Sequence, residues 1–348
     1  MFQTPRAPYT YPEPTALTIA SKPESPIVHT YFPPNNPAPV LASEPPAERA
    51  FAHRLIVFVN GLGLPASSWL PTIKLLHAHT ESCPSILTYD RFGQGLTTVR
   101  DPLDGTPGKE RGHDFLDVVN DLHEIILRIA QTKIGVDIQD LPNGEKFQVI
   151  FIGASIGAAI CRLYVQHHPG IAVGMMLLDS NIANADYSDV FPDPDAPDFD
   201  PTTVVKEDYT LEQYIEARKT LVDMFGLHVL NLEMLDRSNS PVLLPYADKP
   251  KLKGVTGKNL QLMVVGHDTD KFAELSLESP LKTPKSVSMI INKYNKGLTK
   301  ITEHDYPFPV EIAKGCGHFI QKDDPAFVAR MIKIMFQRTL WGDSGPPL

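Results

Sequence analysis

The sequence contains few cysteines. Cys83, Cys161 and Cys316 are the three that occur among 348 residues. An odd and widely spaced set provides no disulfide framework, and none of the three lies at the spacing of a metal site. We therefore expect a protein without disulfide bonds, bound metal or other cofactor.

Long apolar runs and basic clusters are also lacking. The longest apolar stretch, near residues 171–178, is far shorter than a membrane-spanning helix, which needs about 20 residues. The first residues show no apolar run typical of a signal peptide. A net charge of −9 without any Lys/Arg-rich run argues against a nucleic-acid partner. These absences favour a soluble, cytoplasmic protein, whose oligomeric state the sequence leaves open.

Proline is abundant, but it is concentrated at the beginning of the chain. Residues 1–50 contain so many prolines that helices are excluded there, because each proline removes a backbone donor and blocks the preceding turn. Two short runs, residues 17–20 and 27–32, could pair as a hairpin at the edge of a sheet. We therefore predict a proline-rich N-terminal arm over residues 1–50 that contains an edge hairpin.

From Arg54 onward, apolar strands alternate with helical patterns. Short apolar runs predict strands at residues 55–59, 86–89, 149–152, 174–178, 260–265 and 310–314. Strands that alternate with helices form a mostly parallel sheet with helices on both faces, and ligands bind at the carboxyl ends of its strands. The sequence thus predicts an α/β fold.

This alternation is interrupted between residues 182 and 257. The stretch is too long for an ordinary connection and contains two helical patterns, at residues 211–225 and 229–236. We predict a helical cap over residues 182–257, inserted into an α/β core formed by residues 51–181 and 258–340. The apolar residues of the cap could form the roof of a pocket or serve the packing of the cap itself.

The most informative stretch is Gly153-Ala154-Ser155-Ile156-Gly157. It lies between a predicted strand and a predicted helix, which is the layout of a nucleophile elbow, where a tight turn exposes the serine. A serine hydroxyl requires an adjacent base, usually a histidine that is oriented by a carboxylate. His318 is the candidate base, because it follows a short strand in a glycine-rich turn and precedes the final helix.

Four motifs in this order resemble those of the α/β-hydrolase superfamily, over about residues 54–336. They are Val59-Asn60-Gly61-Leu62-Gly63 with Ser67-Ser68-Trp69, Asp90-Arg91-Phe92-Gly93-Gln94-Gly95, the elbow itself, and Gly317-His318-Phe319. The sequence departs from the family pattern at Asn60 and Ala154, where histidine is often found. The resemblance implies the α/β-hydrolase fold and an oxyanion hole formed by the backbone N–H groups of Leu62 and Ile156.

The carboxylate partner of His318 has two main candidates. Asp179 ends the strand after the elbow helix, whereas Asp268 follows the next core strand, the commoner location in the superfamily. Asp270 is a third and less favoured candidate. We prefer Asp179 because its position resembles that of the acid in fungal lactone hydrolases of the zearalenone type and in hydrolases of the mycophenolyl-CoA type. A buried aspartate at a strand end is also costly without partners.

Together these residues predict a serine hydrolase that cleaves an ester, lactone or thioester of a hydrophobic small molecule through an acyl-enzyme. The serine at the elbow argues against epoxide hydrolase or haloalkane dehalogenase chemistry, for which the resemblance would require aspartate there. The alternative is a hydrolase-fold binding protein, similar to a receptor, that turns over its ligand slowly or not at all.

Overall fold

The computed structural model of the chain describes residues 9–35, 53–80, 83–141, 144–205, 209–257, 260–283, 285–303 and 309–341. Two parts of the predicted N-terminal arm, residues 1–8 and 36–50, lie outside these ranges. The described residues fold around a mixed sheet. Its strands are β1 (Thr15–Ile19), β2 (Lys22–Phe32), β3 (Arg54–Val59), β4 (Ser85–Tyr89), β5 (Gln148–Ala154), β6 (Ala172–Leu178), β7 (Gln261–His267) and β8 (Glu311–Ala313).

The spatial order of the strands is β1-β2-β4-β3-β5-β6-β7-β8. β1 pairs with β2 and β2 with β4 in antiparallel fashion, whereas every pair from β4 to β8 is parallel. The mostly parallel α/β fold is therefore confirmed, and the expected edge hairpin corresponds to β1 and β2. Because the parallel strands end at one edge of the sheet, the loops that follow them meet there.

Helices cover both faces of this sheet. They are α1 (Leu70–His79), α2 (Phe115–Ile129), α3 (Ile156–His167), α4 (Tyr187–Val190), α5 (Leu211–Phe225), α6 (Ser240–Leu243), α7 (Thr269–Glu278), α8 (Lys285–Leu298), α9 (Ile320–Asp323) and α10 (Pro325–Trp341). Shorter turns of 3₁₀ or π helix occur at Ala66–Trp69, Ala130–Ile134, Ile138–Asp140, Pro201–Thr203 and Val255–Gly257. Within the described ranges, no helix combines the length and the apolar character needed to cross a bilayer.

The strands are apolar on both sides because each side faces a separate hydrophobic core. Successive side chains of a strand point to opposite faces. Along β3, Val57 belongs to the core beneath α2, α3 and α8, while the neighbouring Ile56 and Phe58 belong to the core beneath α1 and α10. Strands buried on both faces lack polar alternation, which explains the continuous apolar runs of the sequence.

The edge hairpin is fastened to the core by a buried charge cluster. The Nζ of Lys22, at the start of β2, lies 2.6 Å from Asp101 and 2.7 Å from Asp121 of α2. Burial raises the pKa of Asp121 to about 7, although the positive charge of Lys22 acts in the opposite direction. Removing a buried cation from such a cluster is costly, so this contact ties the start of β2 to α2.

The segment between β6 and β7 differs from the sequence prediction in one respect. The first predicted helix is observed as α5, but the second, at residues 229–236, is wrong. There the Asn231 Oδ1 accepts hydrogen bonds from the backbone N–H groups of Glu233 and Leu235 at 3.1 and 3.2 Å. This side chain takes donors that a helix would use, so the chain forms turns instead. The boundaries of a cap at residues 182 and 257 stay a prediction.

Candidate active site

Ser155 occupies a strained turn between β5 and α3. Its φ of 53° and ψ of −123° lie in a region that residues other than glycine rarely adopt. The turn is possible because the residues two positions away on either side, Gly153 and Gly157, lack side chains. A Cβ on Gly153 would lie 2.5 Å from the carbonyl oxygen of Gly157, and a Cβ on Gly157 would overlap the carbonyl oxygen of Val59. Both glycines are therefore required by close backbone packing.

The loops at the carboxyl edge bring three predicted residues into contact. The Ser155 Oγ lies 3.0 Å from the His318 Nε2, and the His318 Nδ1 lies 2.6 Å from the Asp179 Oδ2. Ser155 follows β5, Asp179 follows β6, and His318 lies in the loop after β8. The resulting hydrogen-bonded chain has the geometry of a nucleophile, a base and an orienting carboxylate.

Asp179 is completely buried, and its carboxylate is surrounded by donors. Its Oδ2 faces His318. Its Oδ1 accepts hydrogen bonds from the His267 Nδ1 at 2.7 Å and from the Asn295 Nδ2 at 2.9 Å. Burial alone would raise the pKa of Asp179. The hydrogen bonds from His267 and His318 outweigh burial and lower this pKa to about 2, so the carboxylate is ionised at neutral pH.

The other two carboxylate candidates lie elsewhere. The Asp268 side chain accepts hydrogen bonds from the backbone N–H groups of Gly315, Asp270 and Lys271, and thereby caps α7. Asp270 forms an ion pair with Lys285. In the described part of the chain neither carboxylate contacts His318. Asp268 instead helps to fix the loop that leads to this histidine.

Leu62 and Ile156, whose backbone N–H groups are predicted to form the oxyanion hole, lie beside Ser155. Ile156 begins α3, so its N–H is one of the first-turn donors that a helix leaves without an internal acceptor. Leu62 lies in the loop after β3, and both residues line the same cavity as Ser155. Gly61 lies against the elbow, since a Cβ built there would be 3.4 Å from the Ser155 Cβ, which is ordinary van der Waals contact.

A buried ion pair holds the loop that contains Leu62. Arg91 donates from Nη1 to the carbonyl of Asn60 at 2.9 Å and from Nη2 to that of Gly61 at 3.1 Å. Its Nε lies 2.8 Å from Glu233, whose Oε1 accepts the N–H of Gly63 at 2.6 Å. Burial would lower the pKa of Arg91, but Glu233 outweighs burial and raises it above the ordinary value.

Asn60, which stands where the family often has histidine, is part of this framework. Its Nδ2 donates to the carbonyl of Tyr89 at 2.9 Å and to Gln94 at 3.0 Å, while its Oδ1 accepts the indole N–H of Trp69 at 2.8 Å. A buried amide that is paired in this way joins the end of β3 to the end of β4. The departure at this position therefore has a structural role.

A cavity of about 290 Å³ opens beside Ser155. Its wall is largely apolar, with contributions from the β3 loop, from α5 and the turn after it, and from α7 and α8. The apolar lining residues are Leu62, Leu64, Ile156, Ile182, Leu221, Phe225, Leu227, Phe272, Leu275, Leu281, Val287, Ile291 and Phe319. Concave apolar sites with a few polar groups are typical of small-molecule pockets. The predicted cap contributes six residues to the lining of this pocket: Ile182, Tyr187, Leu221, Phe225, Leu227 and Arg237.

Comparison with known proteins agrees with this architecture. The sequence profile described as the alpha/beta hydrolase family matches residues 56–331, so the chain belongs to the α/β hydrolase family, which indicates a hydrolytic enzyme. Comparison with curated proteins gives no significant match.

Similar solved structures include three hydrolase-like proteins. They are an epoxide hydrolase mutant from Vigna radiata (13% identity, 94% of this chain, 98% of that chain, TM-score 0.50), a putative lipase from Acinetobacter baumannii AYE (12%, 95%, 93%, 0.50) and a putative hydrolase from Agrobacterium vitis S4 (11%, 93%, 98%, 0.50). At such low identities the likeness shows the fold alone.

Sequence reasoning missed three residues that surround the candidate site. His267 and Asn295 hold the Asp179 carboxylate, and Glu233 holds the loop after β3. His267 could have been found from the sequence, because a histidine at the end of a core strand indicates a candidate site residue. Glu233 carried no such signal, because it lies in a segment for which a helix was predicted.

We expect Glu233→Gln to destabilise the fold, because it leaves the buried Arg91 guanidinium without its counter-charge. The loss of one partner of a buried ion pair costs about 3–5 kcal/mol. Urea denaturation followed by circular dichroism measures this difference in the free energy of unfolding. Glu274→Gln, which changes an exposed ion pair with Lys271, is the matched control and should leave the urea midpoint almost unchanged. Equal midpoints for the two variants would contradict the structural role of Glu233.

Proposed function

We propose that this α/β hydrolase cleaves an ester, lactone or thioester of a hydrophobic small molecule, with Ser155 as nucleophile. The observation that carries the proposal is the continuous chain of hydrogen bonds from Ser155 through His318 to Asp179, 3.0 and 2.6 Å long, at the wall of an apolar cavity. A serine hydroxyl becomes a competent nucleophile when a base accepts its proton during attack. His318 is in hydrogen-bond reach of that proton.

In the proposed reaction, the Ser155 Oγ attacks the carbonyl carbon while the His318 Nε2 takes its proton. The backbone N–H groups of Leu62 and Ile156 would stabilise the negative oxygen of the tetrahedral intermediate. The imidazolium of His318 then protonates the leaving alcohol or thiol, and an acyl-enzyme remains on Ser155. His318 next removes a proton from a water molecule, which attacks the acyl group, and then returns this proton to the Ser155 Oγ as the acid is released.

Asp179 is the proposed orienting acid, and Asp268 is not. The carboxylate of Asp179 accepts the His318 Nδ1–H, which directs Nε2 towards Ser155, and its negative charge favours the imidazolium that forms during the reaction. Asp268 is occupied with the first turn of α7 and with Gly315. Because the pKa of Asp179 is held at about 2, protonation of this carboxylate should not limit activity in mildly acidic solution.

The cavity supports a hydrophobic substrate of modest size. A volume of about 290 Å³ is at the lower end of the range for small-molecule pockets, and most of its wall is apolar. Ser155 at the elbow supports acyl chemistry, although the fold is also that of the Vigna radiata epoxide hydrolase. Ester, lactone and thioester substrates share the carbonyl group on which the proposed reaction acts.

The proposal predicts a burst of p-nitrophenol when the protein is mixed with p-nitrophenyl acetate or butyrate, followed by steady turnover. The burst should equal about one equivalent of enzyme, because with these activated esters acyl transfer to Ser155 precedes hydrolysis and is faster than it. Ser155→Ala removes the nucleophile and should abolish the burst. A parallel panel of lactones and acyl-CoA thioesters would identify the preferred carbonyl compound. If the wild-type protein hydrolysed none of these compounds, a binding protein without turnover would replace the enzyme proposal.

Substitutions of the two aspartates distinguish their roles. Asp179→Asn should lower kcat by roughly 10⁴-fold, as expected when the acid that orients a triad histidine is removed. Asp268→Asn is the matched control, since asparagine also caps helices well, and its kcat should stay within a few-fold of the wild-type value. Steady-state hydrolysis of the same p-nitrophenyl ester measures both effects. The opposite ranking of the variants would assign the acid role to Asp268.

A further inference from the structure

Asp179 contacts a second histidine that the triad reaction does not use. His267 is the last residue of β7 and is completely buried. β7 pairs with β6, and the N–H of Asp179 donates to the carbonyl of Val265 at 2.8 Å. This pairing sets the imidazole of His267 against the Asp179 carboxylate, with 2.7 Å between Nδ1 and Oδ1.

Both ring nitrogens of His267 face groups that only accept hydrogen bonds. Nδ1 faces the carboxylate of Asp179, and Nε2 lies 3.1 Å from the carbonyl oxygen of Ser288. A neutral imidazole carries one N–H, whereas an imidazolium carries two. An ionised carboxylate and a carbonyl oxygen have no proton to donate. Both contacts are therefore hydrogen bonds only if His267 donates from both of its nitrogens.

The surroundings of the pair favour a charge on His267. Asp179 remains ionised because its Oδ1 also accepts from Asn295 and its Oδ2 accepts from His318. The neighbouring Asp268 adds a second negative charge close to His267. From α7 the ring of Phe272 packs on the imidazole, with 4.4 Å between centroids. From α8 the contacts come from Ser288, Asn292 and Asn295, which are uncharged.

We propose that His267 is a buried imidazolium cation that positions Asp179. The negative charge of Asp179 is then shared between His267 and His318. His267 does not line the cavity or contact Ser155, so its effect on the reaction passes through Asp179. The proposal rests on the proposed function, in which His318 is the base. Held by His267 and Asn295 on one oxygen, the carboxylate presents the other oxygen to His318 in a fixed direction.

A cation next to Asp179 also changes the protonation of His318. A nearby negative charge favours the protonated imidazole, and a nearby positive charge opposes it. Because His267 neutralises part of the Asp179 charge, His318 stays neutral, and so able to act as a base, to a lower pH. The acid limb of the kcat/KM profile is the direct signature of this effect, since it reports protonation of the free enzyme's base.

The variant that tests the charge is His267→Gln, because a glutamine amide is neutral and can still donate one hydrogen bond to Asp179. Profiles of kcat/KM against pH are measured with p-nitrophenyl acetate for the wild-type and variant enzymes. We expect the acid limb to move to higher pH by about 1 unit in the variant. KM should change little, because His267 does not line the cavity.

His113→Gln is the matched control. His113 is a buried histidine whose Nδ1 lies 2.9 Å from Asp104, but it does not line the cavity beside Ser155. Its replacement should leave the acid limb in place. A lower kcat without any shift of the limb in His267→Gln would indicate a merely structural role and would overturn the proposal.

A second measurement does not depend on esterase activity. Nitrogen-15 NMR of the wild-type protein labelled at histidine should show one imidazole that carries protons on both nitrogens at pH 7.5 and that is absent from the spectrum of His267→Gln. If all imidazoles proved neutral at this pH, the proposal would be wrong. This result separates it from the proposed function, because a protein without esterase activity could still contain the buried imidazolium.

Discussion

The structure at the carboxyl edge of the sheet depends on a single buried negative charge. An ionised carboxylate that is removed from water is costly by several kcal/mol unless donors replace its hydration shell. Asp179 receives those donors from three different places: His267 at the end of β7, Asn295 on α8 and His318 in the loop after β8. The need to satisfy this charge therefore draws these elements together, and the same contacts aim His318 at Ser155.

A second buried charge pair organises the opposite side of Ser155. Arg91 and Glu233 bind the carbonyl groups and an N–H of the loop after β3, so that Leu62 lies beside the elbow. Glu233 belongs to the segment between β6 and β7, which also supplies Leu221, Phe225 and Leu227 to the cavity. This segment thus both lines the cavity and, through Glu233, holds the loop after β3.

The sequence was informative where local patterns determine structure. The buried strands and the elbow around Ser155 follow from apolar runs and small residues. It could not decide between Asp179 and Asp268, since both follow core strands. That choice depends on the backbone: Asp179 has a φ of 42° and contacts His318, while Asp268 caps the unpredicted helix α7. Glu233 was missed because the side chain of Asn231 diverts a helical pattern into turns. The chemical roles of these residues remain proposals.

We propose that Asp179, acting through His318, activates Ser155. Covalent modification by a fluorophosphonate is the direct test, with the rate followed by intact-protein mass spectrometry and the site mapped by peptide sequencing. We expect one adduct, on Ser155, that forms more slowly by a factor on the order of 10³–10⁴ in Asp179→Asn. An adduct on another residue, or an equal rate in the two proteins, would contradict it.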